Sequence, residues 1–237
     1  MSVGDGGATQ EETPLRPQLT RIASIDIYSS HNSTSRFPLK AVMLWSGGKD
    51  SSLALHRALD AGVDVVRLAT FVPDSGADFL AHPRALIKKQ AVAMGLGHSW
   101  LPVKEPFADS YEKMLKLVHE ETSAEAVITG DIDLVGGQPN WIVERCSPLN
   151  LEVVRPLWKE DRKSLMAELL ARGIRARITW INHPSIPKSM LGRVIDAPLL
   201  GDLQKLADRV KIDLSGENGE YHTMVMTAPS FKTPIEV

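Results

Sequence analysis

Apolar residues follow two rhythms along this chain. Residues 39–45 form a short run of Leu, Val, Met and Trp without strict alternation, the pattern of a strand buried on both faces. Beyond a glycine pair the period changes. Leu55, Ala58, Leu59 and Gly62 recur at helical spacing, which predicts a helix with one apolar face and with His56, Arg57 and Asp60 turned outward. Residues 63–72 read as a second strand that leaves through a turn at 73–76. Ile87, Gln90, Ala91 and Met94 predict a second helix, stopped by Gly95 and Gly97. A short strand at 98–103, a helical stripe of Tyr111, Met114, Leu115 and Val118, and a fourth strand at 125–130 complete the series. Strands alternating with helices of this length predict an α/β fold, a doubly wound parallel sheet covered on both faces.

The last hundred residues are less regular. A strand is expected at 151–158, a helix at 164–171, an alternating strand at 174–181, and a helical stripe on Leu199, Leu203, Leu206 and Val210. These elements predict a smaller C-terminal α+β domain that binds substrate, residues 139–237, following a nucleotide-binding domain at 39–138. Residues 1–38 are rich in Gly, Ser, Thr and Pro and read as a mobile tail, within which 22–28 could pair as an edge strand.

The junction between first strand and first helix reads SGGKDS, Ser46 to Ser51. Gly47 and Gly48 remove Cβ atoms where another group can approach the backbone, and the free N–H groups of a helix start favour an anion. Phosphate is the obvious candidate. The spacing is not that of the common P-loop, because Lys49 follows the glycine pair directly and Asp50, Ser51 and Ser52 come next. In such sheets ligands sit beyond the carboxyl ends of the strands, so Gly130 and Asp131, after the fourth strand, fall beside the loop if the two strands are neighbours. Asp131 could ligate Mg²⁺, hold a ribose or acceptor group, or simply cap a turn. Near the other end of the chain, LSGENGEYHT gathers Glu217, Glu220, Tyr221 and His222 in a glycine-interrupted turn before an alternating strand.

Composition narrows the partners. With 27 basic and 29 acidic residues the net charge is -2, and no polybasic face announces nucleic acid. The single cysteine, Cys146, excludes an internal disulfide and any metal site needing two thiolates, and it reads as a small apolar residue in a helix. No apolar run approaches the ~18 residues of a membrane span. Asp5, Glu11 and Glu12 count against an organelle transit peptide, so a cytoplasmic protein is expected.

SGGKDS resembles the pyrophosphate loop of the N-type ATP pyrophosphatases, which cleave ATP between the α and β phosphates and transfer AMP. Taken with GENGEYHT it is similar to the diphthine-ammonia ligase family of those enzymes. The resemblance also takes in His82 with KKQAVAMG (88–95), GDI (130–132), WIVERC (141–146), RPLW (155–158), and Leu191 with Gly192. It implies an adenine nucleotide alpha hydrolase-like domain, ATP and Mg²⁺, and amide formation between a carboxylate and ammonia or a small amine. Diphthine, a modified cationic histidine on elongation factor 2, is the acceptor it names.

A carboxylate does not react with ammonia at neutral pH until it is joined to AMP. The backbone of 47–51 and the Lys49 ammonium are therefore expected to face the departing phosphates, as a loop lysine turned to solvent, where one such donor is worth about 10²- to 10³-fold in rate. Ser46, Gly47, Gly48, Ser51, Ser52, Gly130 and Asp131 complete the expected nucleotide site, with Asp50 and Asp131 toward Mg²⁺. Glu217 and Glu220 are expected to face the acceptor or the amine. The turn departs from the family at Asn218, commonly Gly, and at His222, commonly acidic. Two other readings are carried: a pyrophosphate-loop ligase acting on another small carboxylate, and a module that holds ATP without turnover. A tRNA-modifying adenylyltransferase is disfavoured by the charge and by the missing cysteine pair.

Overall fold

The computed structural model describes residues 19–22, 25–29, 38–77, 81–134 and 138–235. Five parallel strands form the heart of a larger sheet: β3 (Lys40–Leu44), β4 (Asp64–Pro73), β5 (His98–Val103), β6 (Ala126–Ile128) and β7 (Glu152–Arg155). A hairpin of β1 (Leu19–Ile22) and β2 (Ile25–Tyr28) adds antiparallel to β7, giving seven strands in the order β1-β2-β7-β6-β3-β4-β5. The chain winds outward from β3 through β4 to β5, then returns to the other side of β3 for β6 and β7. The switch point lies between β3 and β6, where an open α/β sheet presents its ligand crevice.

The doubly wound expectation is therefore met, with two amendments. Residues 25–28 of the expected tail belong to the sheet, where Ile27 is buried and Asp26 ion-pairs with Arg155 at 2.7 Å. Most of the rest of 1–38 lies outside the described residues. The sheet also continues past residue 138, because β7 is one of its strands.

Both faces are covered. Helices α1 (Lys49–Asp60) and α2 (Arg84–Met94) close one, while α3 (Phe107–Thr122) and the short α4 (Trp141–Cys146) close the other over Val42, Val127 and Val153. Cys146 ends α4 in that second layer, fully buried, where loss of solvent pushes its thiol up to about 12. It has the character of the apolar residue expected.

The face of α1 differs from the expected one by a fraction of a turn. Leu53, Ala54, Leu55 and Ala58 are buried, whereas Leu59 is 43% exposed and His56 only 6%. His56 is drawn in by hydrogen bonds that spacing cannot show: Nδ1 lies 2.7 Å from the carbonyl of Ser52, and Nε2 accepts from the backbone of Ser230.

The C-terminal part comprises α5 (Arg162–Ala171), β8 (Arg175–Ile181), α6 (Ala197–Arg209) and β9 (Tyr221–Thr227), with β8 and β9 forming a separate antiparallel pair. Asp161 and Asp196 cap the two helices by accepting from Ser164 and Leu199 backbone N–H groups. One apolar core runs without interruption from Met43 and Leu55 to Leu169, Ile178 and Met224, so the smaller sheet is packed onto the larger layer.

Candidate active site

β3 ends at the switch point, and the chain turns there through Gly47, whose φ is +79°. Gly48 then caps α1 without a side-chain cap, which leaves the N–H groups of Asp50 and Ser51 with no intrahelical acceptor. β6 pairs directly with β3, so the segment after it reaches this helix start. A Cβ on Gly130 would stand 2.8 Å from the nitrogen of Ser51 and 2.9 Å from the carbonyl carbon of Asp50. Only a residue without a side chain lets the segment after β6 approach the helix start this closely. The helix start, with its unpaired N–H groups, has the polarity that a phosphate oxygen requires.

The loop is held from outside by residues that the spacing of motifs did not single out. Gln90 on α2 is completely buried; it accepts from the Trp45 indole at 2.9 Å and donates to the carbonyls of Gly47 and Val225, each at 2.9 Å. The Gly47 carbonyl also accepts from Val225 N–H of β9 at 2.9 Å. Lys49 N–H donates to the Thr223 hydroxyl at 3.1 Å. The signal for Gln90 was present, since an amide on the apolar face of a helix must find partners. For Thr223 and Val225 only the fold supplies one.

The Lys49 side chain does not lie free in solvent. It is 2% exposed, and its ammonium donates to Asp50 at 2.7 Å and to the carbonyl of Ser215, with the Tyr221 ring 5.4 Å away. Burial alone would push its pKa down; the charge and hydrogen bond of Asp50 outweigh that and hold it above the ordinary lysine range. The expectation of a solvent-facing lysine is corrected, because the second turn folds over it.

That turn, residues 213–220, separates its two glutamates. Glu217 accepts from the N–H of Ile132 at 3.0 Å, reaching the segment after β6. Its carboxyl is pushed up to about 7, by burial first and then by the like charges of Asp50 and Asp131. Glu220 behaves differently. It is buried, and its two oxygens accept from the N–H groups of Asp213 at 2.7 Å and Asn218 at 3.0 Å, so they are spent within the turn. Tyr221 donates to the carbonyl of Leu214 at 2.6 Å and closes the same loop.

The structure thus brings Ser46, Gly47, Gly48, Lys49, Asp50, Ser51, Gly130, Asp131 and Glu217 to one crevice. Ser46 is exposed at its lip, and its hydroxyl donates to that of Ser51 at 3.1 Å. Ser52 is fully buried with its hydroxyl enclosed, and so stands behind the crevice instead of lining it.

Among the described residues no group of three or more His, Cys, Asp or Glu side chains is arranged to hold a metal alone. Mg²⁺ is usually held by one or two carboxylates together with phosphate oxygens. Asp50 and Asp131 each act on Glu217 as like charges, a repulsion that a divalent cation would relieve.

Beside Asp131 a cavity of about 620 Å³ is lined in part by Asp133, Asn140, Trp141 and Glu144, and Asn140 donates to Asp131 at 2.7 Å. Another cavity of about 520 Å³, at Lys88, Val92 and Ile235, contains none of the residues above.

Two family models and several named relatives match this chain. The family model described as the diphthamide synthase N-terminal domain matches residues 39–152, and the one described as the diphthamide synthase C-terminal domain matches residues 161–237. The chain is 29% identical over 227 residues to the diphthine–ammonia ligase of Homo sapiens, covering 84% of this chain and 83% of that one. It is 27% identical over 220 residues to the Danio rerio protein of the same name, covering 83% and 86%. With the Schizosaccharomyces pombe protein of that name identity is 26% over 219 residues, covering 83% of this chain but only 36% of the longer relative.

Proposed function

The chain belongs to the diphthamide synthase family, and from that premise we propose that it is an ATP-dependent carboxylate–amine ligase that joins an acid to AMP, releases pyrophosphate and forms an amide, with diphthine and ammonia as substrates. The observation that carries this reading is the joining of the two signatures. The loop that suits phosphates and the turn that bears Glu217 meet over the Lys49 ammonium. A module that merely held adenine would need neither the buried lysine nor the carboxylate facing it.

In this reading the N–H groups of Asp50 and Ser51 and the third Lys49 proton receive the β and γ phosphates, whose charge grows as the α–β bond breaks. Asp50 and Asp131 are the side chains that would hold Mg²⁺, which supplies further neutralisation of phosphate charge. The cavity beside Asp131 takes the acceptor. Of its lining, Asp131 and the Trp141 ring suit a cationic acceptor such as diphthine on elongation factor 2, whereas Asp133 is already paired with Lys159 and Arg162 and Glu144 with Arg145. Glu217 lies between the two spaces. Glu220 shapes the turn that presents it. The division of labour expected at 138/139 moves to the segment after β7, since β7 completes the nucleotide-side sheet.

The test is to incubate the protein with ATP, Mg²⁺, ammonium and elongation factor 2 carrying diphthine. AMP, pyrophosphate and an amidated factor are expected. ADP as the product would overturn the reading. AMP formed only with an unrelated small acid would retain the chemistry and replace the acceptor.

A further inference from the structure

Two imidazoles stand at the lip of the crevice without a part in the scheme above. His222 is the second residue of β9, between Tyr221 and Thr223, the two residues that contact Lys49, and lies opposite Trp180 in the β8–β9 register. His82 meets it edge to face, with ring centroids 5.2 Å apart at 74°. The backbone of Ser46 acts on the His82 ring, which sets the pair beside the first residue of the loop. The segment bearing His82 is pinned by the Thr179 hydroxyl, which donates to the carbonyl of Ala81 at 2.8 Å.

His82 Nδ1 is enclosed and has no hydrogen-bond partner among the described residues, a costly arrangement for a buried polar atom unless something uses it. The charged group acting on His222 is Lys49, from α1, and the titratable group acting on His82 is His222 itself. Burial and these neighbours keep both rings below the ordinary histidine value, His82 at about 4. At neutral pH each ring therefore has a lone pair to offer.

We propose that His222 accepts the proton released when the amine attacks, and that His82 is the positioning residue that shares the charge. The inference rests on the ligase reading. In this step the amine nitrogen bonds to the acyl carbon of the adenylate. The bond from that carbon to the AMP oxygen breaks, and its electron pair leaves on AMP. One N–H proton passes to the free ring nitrogen of His222, which His82 Nδ1 helps to stabilise as it becomes charged. General-base assistance of this kind contributes about 10²- to 10⁴-fold.

Adenylation needs no such proton acceptor, and hydroxylamine, a nucleophile already neutral at pH 7, depends on one less than ammonium does. The experiment therefore measures acceptor-dependent ATP–pyrophosphate exchange, amide formation from ammonium, and hydroxamate formation from hydroxylamine. His222→Gln should lower the ammonium reaction about 10²-fold or more while exchange stays within about twofold and hydroxylamine restores product formation. His82→Phe should move the acid limb of the ammonium rate profile to lower pH, a change that mere loss of packing does not produce. Exchange falling as far as amide formation in His222→Gln, or an ammonium reaction unchanged in that variant, would overturn the pair's role. Absence of exchange in the unaltered protein would instead overturn the ligase reading, and the pair's role with it.

Discussion

The ammonium of Lys49 donates to the backbone carbonyl of Ser215, 166 residues further along the chain, and so one side chain ties the first signature to the second. Lys49→Met keeps the buried volume but leaves the Ser215 carbonyl and Asp50 without their shared partner. An unmade buried hydrogen bond costs about 1–3 kcal/mol. The variant is expected to lose AMP production and also to melt earlier than the parent. Urea unfolding checks the second point, and an unchanged midpoint would show that the turn does not depend on this lysine.

Gly130→Ala places a methyl group 2.8 Å from the nitrogen of Ser51, against backbone that cannot swing aside. Overpacking of this kind costs about 1–3 kcal/mol, and it would push the segment bearing Asp131 away from the helix start. Calorimetry should show ATP affinity reduced by at least tenfold in a variant that remains folded. Normal affinity would mean that the nucleotide does not depend on the close contact between residue 130 and the helix start.

The two glutamates of the second turn should respond in opposite ways to the same change. Glu217→Gln removes a like charge from beside Asp50 and Asp131, so stability is expected to hold or rise while amide formation is lost. Glu220→Gln replaces one of two oxygens that accept backbone N–H groups, so stability should fall by about 1–3 kcal/mol. Melting curves of the two variants, run side by side, decide it. Equal losses would deny the separation of roles.

Acid should weaken the fold between about pH 6.5 and pH 4. His82 and His98 are held near 4, burial being the largest cause in each, whereas an unfolded histidine titrates near 6.5. In that window the unfolded chain binds more protons than the folded one, so unfolding becomes easier as pH falls and the loss levels off below 4. His98→Gln, whose amide can take the place of Nε2 beside Thr70, should flatten the slope measured by urea unfolding at several pH values. A slope identical to that of the parent would remove His98 as a contributor.

Cys146→Ala should remain active, because the thiol is buried among Leu115, Val127 and Val153 and its pKa lies far above neutrality. Turnover within about twofold of the parent is the expected result. Complete loss of turnover in a folded protein would restore a thiol to the chemistry.

Where one face of an element decided its place, the sequence was easy to read. The parallel core, the glycine loop at its switch point and the neighbouring segment at Gly130 follow from periodicity and from the positions of turns. The errors arose where hydrogen bonding outranked hydropathy. His56 is inside and Leu59 outside because two backbone groups capture the imidazole. Glu220 looks like Glu217 in sequence, yet its oxygens are claimed by backbone two and seven residues earlier. Lys49 is buried by a turn whose approach no local pattern announces. The patch at 22–28, read as a possible edge strand, does join the sheet through β2, because β7 offers it an open edge.

The hydrogen bond from Val225 to Gly47 has a consequence for the order in which the protein becomes competent during synthesis. The phosphate loop is translated well before the strand that fixes it, and Gln90 needs that strand for one of its own partners. A nascent chain carrying the whole of SGGKDS therefore lacks the backbone clamp, the Thr223 cap and the Ser215 carbonyl until β9 has left the ribosome. On the proposed reading nucleotide binding waits for β9, and a fragment stopped before residue 213 would carry the motif without the site.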